Sequence, residues 1–231
     1  MDRTSQFLDY YGKLEKIART EYDIPEDKGF IPALAEMPSF RSIRRELNYC
    51  REVRNLLDHN GRVKNEFPVE VSQGMLDLIQ ETIQKIQHPL RVRDIMIPAS
   101  QVFSCKTDDL VLPAIIEMQQ KVFTHVPIME KGIVAGVFSE NTLLCKIVDD
   151  EIIGIDRSTR FSEFEKYLPM DRHSSESFRF VPESMLKTDL ESIFSKATAQ
   201  SDRIRMVFVT AHGKTTERLL GIVTAWDLPE S

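Results

Sequence analysis

The strongest constraint on the fold is an internal echo: Gly136-Val137-Phe138-Ser139-Glu140-Asn141-Thr142 is answered by Gly221-Ile222-Val223-Thr224-Ala225-Trp226-Asp227. A segment that recurs with its neighbours in the same order marks a repeated supersecondary unit, each copy burying its apolar face against the other. Upstream of each copy comes a helical pattern (Leu110–Gln120; Asp189–Lys196). An apolar run led by a basic residue follows: His125 before Val126-Pro127-Ile128, and Arg205 before Met206-Val207-Phe208. Short Val/Ile/Phe runs alternating with helical patterns indicate β-α-β units. The first copy is expected over about 94–150 and the second over about 176–231. Between them, Asp149 to Arg179 reads as an insertion longer than such a connection requires.

Ahead of the repeat the pattern is helical throughout. Phe7, Leu8, Tyr11, Leu14 and Ile17 recur at three- and four-residue spacing, which predicts an amphipathic helix from Gln6 to about Tyr22. A loop with at most a short helix at Ala33–Met37 follows. A second helix is expected from Pro38-Ser39, with Ser39 as cap, to about Asp58, with Gly61 as its stop. A third is expected from Val69 or Ser72 to Gln87. His88-Pro89 ends the pattern, so a domain boundary falls near 89–93. The expected fold class is α + α/β: an all-helical bundle over residues 1–90, then a tandem β-α-β-β-α repeat pair over 91–231.

Composition narrows the setting. The chain has 231 residues, 42% hydrophobic and 29% charged, which suits a globular protein with a buried core rather than a disordered one. No apolar run approaches the ~20 residues that span a bilayer, and the polar start Met1-Asp2-Arg3-Thr4 is not that of a signal peptide, so no membrane role is expected. Three separated cysteines (Cys50, Cys105, Cys145) fit a reducing compartment, which predicts a cytoplasmic location. The five histidines are scattered, and no metal site is expected.

The order strand, helix, strand, turn, strand and a Ser/Thr-x-x-Asp helix start resembles the CBS module, and the two copies together resemble a CBS pair. Thr124-His125-Val126-Pro127-Ile128, Gly136 to Thr142 and Gly221 to Leu228 carry the resemblance. The chemistry can be argued without the name. A hydroxyl at a helix N-terminus sits beside unpaired backbone N–H groups, so Thr224, like Ser139 in the first copy, is placed to receive a phosphate. Asp227, one turn on, can accept two hydrogen bonds from a ribose diol. The bland alternative is that Thr224 and Asp227 form a capping box. In the first copy Thr142 stands where Asp227 does and cannot serve as that carboxylate, so one competent site is expected. His125 and Arg205 are read as equivalent and as able to reach phosphates. The resemblance implies an adenine nucleotide (AMP, ADP or ATP) or a relative such as S-adenosylmethionine as regulatory ligand, and association into a homodimer or larger.

In the second helix Ile43, Leu47, Cys50, Val53 and Leu57 make an apolar stripe, and Arg54 lies inside its arc. A guanidinium there must be paired, solvated in a cleft or facing another subunit. An i,i+4 ion pair with Asp58 is the local answer. The competing reading takes Arg54-Asn55-Leu56-Leu57-Asp58-His59 as a unit, which resembles the Arg…His signature of HEPN domains. That resemblance implies metal-independent RNA cleavage in a dimer, with no catalytic cofactor: His59 takes the ribose 2′-hydroxyl proton, Arg54 stabilises the phosphorane and Asn55 orients the phosphate. Residues 39–64 carry seven basic side chains against three acidic ones in a chain of net charge −6, which favours an anionic partner such as RNA or is a solvated helix face. The sequence thus predicts a nucleotide-gated ribonuclease, with a non-catalytic nucleotide sensor as the alternative.

Overall fold

A computed structural model describes residues 2–59, 67, 69–150, 155–173, 176–199 and 203–228, in two compact units, Met1–Leu90 and Arg91–Glu230. The expected helix stop at Gly61 lies outside the described residues.

Among the described residues the first unit contains four α-helices: α1 (Arg3–Glu21), α2 (Phe30–Glu36), α3 (Arg44–His59) and α4 (Gln73–Gln87). Asp2 caps α1 by accepting from the Ser5 amide, and Ser72 caps α4 by accepting from the Met75 amide. Before α3 the chain makes a 3₁₀ segment, Pro38–Ile43. Ser39 is therefore not a cap: Met37 holds the extended N-cap position, and Pro38 fills the first helical site, where its missing N–H costs nothing. Phe7, Leu14, Ala18, Leu34, Phe40, Leu47, Cys50, Ile79 and Ile86 are almost wholly buried and draw residues from all four helices into one core. Tyr22 locks α1 to the end of α4, donating to the Ile86 carbonyl at 2.6 Å.

The second unit carries α5 (Val92–Ile95), β1 (Ile97–Pro98), α6 (Val111–Lys121), β2 (His125–Glu130), β3 (Ile133–Ser139), α7 (Glu140–Asp150), β4 (Ser177–Pro182), α8 (Lys187–Ala199), β5 (Ile204–Thr210) and β6 (Gly221–Val223). β2 and β3 form an antiparallel hairpin closed by Lys131 and Gly132, both at positive φ (51° and 85°), as a two-residue turn matched to strand twist requires. A parallel bridge from Cys105 to Ile128 adds an edge to that hairpin. The second sheet runs β1-β6-β5-β4, with β4 parallel to β5 and the remaining pairs antiparallel.

The first copy's leading segment lies in the second copy's sheet: β1 pairs with β6, and Val92 is buried with Leu190, Val207 and Val223. Residues 160–168 make the reciprocal move. Phe161 and Phe164 pack edge-on around Phe138, at 5.1 and 5.4 Å between ring centroids. The hydrogen bonds match step for step. Val92 and Arg93 donate to the carbonyls of Met185 and Glu183, and Phe161 and Ser162 donate to those of Asp109 and Thr107. Each leader opens with an arginine: the Arg91 amide bonds Asp94 and its guanidinium the Ser184 carbonyl, while the Arg160 amide bonds Glu163 and its guanidinium the Asp108 carbonyl. The stretch read as an insertion thus contains, at residues 160–168, a segment that repeats the hydrogen bonds of the α5 leader and is its counterpart.

This exchange explains the two glycines that open the echo. A Cβ on Gly221 would lie 2.5 Å from the Ile97 carbonyl oxygen, and one on Gly136 would lie 2.6 Å from that of Leu168. Each glycine lets the other copy's leader lie against its strand.

Candidate ligand-binding turns

In each copy the last strand leads to a hydroxyl residue that starts a helical turn: Ser139 ends β3, and Thr224 follows β6. In the second copy Asp227 Oδ2 accepts from the Thr224 amide at 2.7 Å and from the Thr224 hydroxyl at 2.8 Å. The capping reading of this pair is therefore realised, and both side chains remain partly exposed. Between them Trp226 is 96% exposed.

In the first copy the Ser139 amide donates to Thr142 Oγ1 at 3.0 Å and the Thr142 amide to Ser139 Oγ at 3.3 Å. Thr142 thus does for the backbone what Asp227 does, without a carboxylate. The surroundings differ sharply. Ser139 is fully buried, and its hydroxyl donates to Glu176 Oε2 at 2.9 Å. His125 Nε2 lies 3.0 Å from Glu176 Oε1 and His173 Nδ1 lies 2.9 Å from Oε2. A carboxylate only accepts, so both imidazoles donate to it, and His125 Nδ1 shares a hydrogen bond with the Thr124 hydroxyl at 2.7 Å. Burial raises the Glu176 pKa, but the bonds from His125, His173 and Ser139 outweigh it and hold the carboxyl far below its usual range. Glu176 escaped the sequence reading because Ser139 and His125 lie 37 and 51 positions away, and the local His173–Glu176 spacing alone says nothing of them; His125 and Ser139 were the two positions that pointed there.

His125 and Arg205 are not equivalent, which corrects the expectation. Val126 faces Phe138 and Val207 faces Val223, so the register matches His125 with buried Met206, and Arg205 lies one residue earlier, exposed.

Arg54 pairs with Asp58 at 2.6 Å and sits 6.0 Å from the Tyr11 ring centroid, near Asn55 Oδ1 at 3.5 Å. Burial pushes the Tyr11 phenol up to about 12 and the Cys50 thiol, beside it in the core, up to about 12. The side chain of His59 lies outside the described residues. The basic run shapes an open cleft of about 490 Å³ lined by Arg41, Arg44, Arg45, Asn48, Tyr49 and Glu52. Within it Arg45 lies over the Tyr49 ring at 5.4 Å, and Arg44 is paired with Glu36 at 2.8 Å.

Among the described residues no group of three or more His, Cys, Asp or Glu side chains could hold a metal ion, and no helix is long and apolar enough to cross a membrane.

The family-model match falls on the second unit. The CBS domain model matches residues 92–155. That span includes the α5 leader, the β2–β3 hairpin and α7. A putative acetoin utilization protein (AcuB) from Vibrio cholerae is similar at 19% identity over 60% of this chain and 86% of its own, with a TM-score of 0.43. CBSX2 in complex with AMP is similar at 19% identity over 59% of this chain and 91% of its own, TM-score 0.41. The CBS domain pair of protein MJ0100, in complex with 5′-methylthioadenosine and S-adenosyl-L-methionine, is similar at 16% identity, covering 60% and 91%, TM-score 0.40. The search of curated proteins found no match.

Proposed function

We propose that the chain is a nucleotide-responsive regulatory protein: a tandem CBS pair over 91–231 binds an adenine nucleotide at one site, the turn of Thr224 and Asp227. The supporting observation is the asymmetry of the two turns. Among the described residues Thr224 and Asp227 are partly exposed and their side chains are bonded within the turn, whereas Ser139 is buried beneath a carboxylate. An incoming ribose diol replaces the Thr224 donors on Asp227 and frees the Thr224 hydroxyl for phosphate.

Asp227→Ala is expected to weaken AMP or ATP binding by about 1.5–3 kcal/mol, the scale of lost hydrogen bonds to a charged group. Calorimetry on the purified chain checks it. Unchanged affinity returns both residues to helix capping alone.

For the helical unit the non-catalytic reading is preferred. Arg54 has its local partner in Asp58 and an aromatic face in Tyr11, which accounts for a charge inside the apolar arc. Cleavage of RNA by Arg54, Asn55 and His59 would first require breaking that ion pair. Loss of RNA cleavage on His59→Ala, with activity surviving EDTA, would reverse this preference.

A further inference from the structure

The first copy's turn is fully built yet closed. Its hydroxyl, its imidazole at the start of β2 and the N-terminus of an eleven-residue helix, α7, surround one point, and the Glu176 carboxylate sits on it. Ser139 holds the same place in its turn as Thr224. Two imidazole donors and one hydroxyl donor converging beside a helix N-terminus are a set for an anion, since each contributes positive potential or an N–H or O–H bond. The carboxylate arrives from outside the turn: Glu176 comes from the residue before β4, thirty-seven positions from Ser139.

We propose that Glu176 is an internal ligand of the first copy, occupying the position of a phosphate group and so keeping that turn closed to phosphate-bearing ligands. The choice of one working turn out of two is then made by this side chain as well as by Thr142. Removing the carboxylate leaves an anion site for inorganic phosphate, framed by Ser139, His125 and His173. The second imidazole strengthens the case. His173 is 2% exposed, its Nε2 is buried with no hydrogen-bond partner among the described residues, and its ring packs edge-on to Phe178 at 5.1 Å, a contact that does not depend on Glu176. His173 and Thr142 also line a cleft of about 170 Å³.

The inference rests on the nucleotide reading only for its biological sense, and its test uses inorganic phosphate, so the two can fail separately. In the wild-type chain, phosphate is expected to leave the imidazole ¹⁵N resonances of His125 and His173 unmoved. In Glu176→Ala it should shift both, with an affinity at least about tenfold above wild type, the scale of freeing charged hydrogen-bond donors. It should also raise the melting temperature of Glu176→Ala relative to chloride at equal ionic strength, an effect that adding Ser139→Ala diminishes. The proposal is overturned if phosphate shifts His125 in the wild type, or if folded Glu176→Ala shows neither effect. Should Glu176→Ala not fold even with phosphate, the wild-type titration decides. A nucleotide affinity lost on Asp227→Ala while Glu176→Ala behaves as wild type toward phosphate would sink this inference and keep the nucleotide reading.

Discussion

Glu176 ties together three stretches of chain that no local rule would join: the start of β2, the end of β3 and the segment leading into β4. Its carboxyl is held far below the unfolded-state value of 4.5, so the sign of the pH effect is fixed. A depressed folded pKa contributes stability that is complete above 4.5 and is lost as pH falls below that value toward the folded one. The difference in stability between the wild type and Glu176→Gln should therefore narrow on acidification below about pH 4.5, with His125, His173 and Ser139 the facing groups in both proteins. Urea melts at stepped pH check this, and a constant difference would show that the ionised form gains nothing from its partners. At this scale the sequence was half legible. The Arg54–Asp58 pair and the Thr224–Asp227 cap are contacts across three or four positions, and spacing gives them directly. The Glu176 cluster is assembled by tertiary pairing of distant segments: the repeat singles out His125 and Ser139 separately, but no spacing joins them to Glu176.

Elements with a clear period were readable and elements without one were not. The helices α1 and α4 and the β2–β3 hairpin declare themselves through apolar spacing and turn chemistry. Residues 160–168 do not, because a four-residue 3₁₀ turn, Phe161–Phe164, is too short for a periodic signal and its apolar side chains pack on the other copy. That packing makes a crossed prediction. Val92→Ala should reduce amide protection in β5 and β6 at a cost of about 1–3 kcal/mol, while Phe161→Ala should reduce it in β2 and β3 at about 3–5 kcal/mol. Hydrogen exchange resolved by strand checks the pattern. Protection falling in each copy's own strands would contradict the exchange of leaders.

For the molecule as a whole, the two units each own a core, the helical one around Leu14, Leu34 and Leu47 and the other around Phe138, Phe208 and Val207. A fragment of residues 91–231 should fold, melt in one transition and bind nucleotide as the full chain does. A fragment starting at residue 99 lacks α5 and β1, leaves β6 with a bare edge and opens a cavity where Val92 sat, so it should aggregate or melt earlier. Light scattering and circular dichroism distinguish the outcomes. The same scattering tests self-association, for which Leu144 (58% exposed) and Val148 (67%), one turn apart on α7, supply an apolar stripe. Equal stability of the two fragments would mean that the leader contributes little to the sheet it joins.

Trp226 is the chain's sole tryptophan, and at 96% exposure it stands on the turn between Thr224 and Asp227. Tryptophan fluorescence, excited at wavelengths that tyrosine does not absorb, is therefore an optical readout of that turn alone. Emission starts at the wavelength of a hydrated indole, and anything that settles over the turn alters its colour or quenches it, so occupancy can be followed in real time without a label.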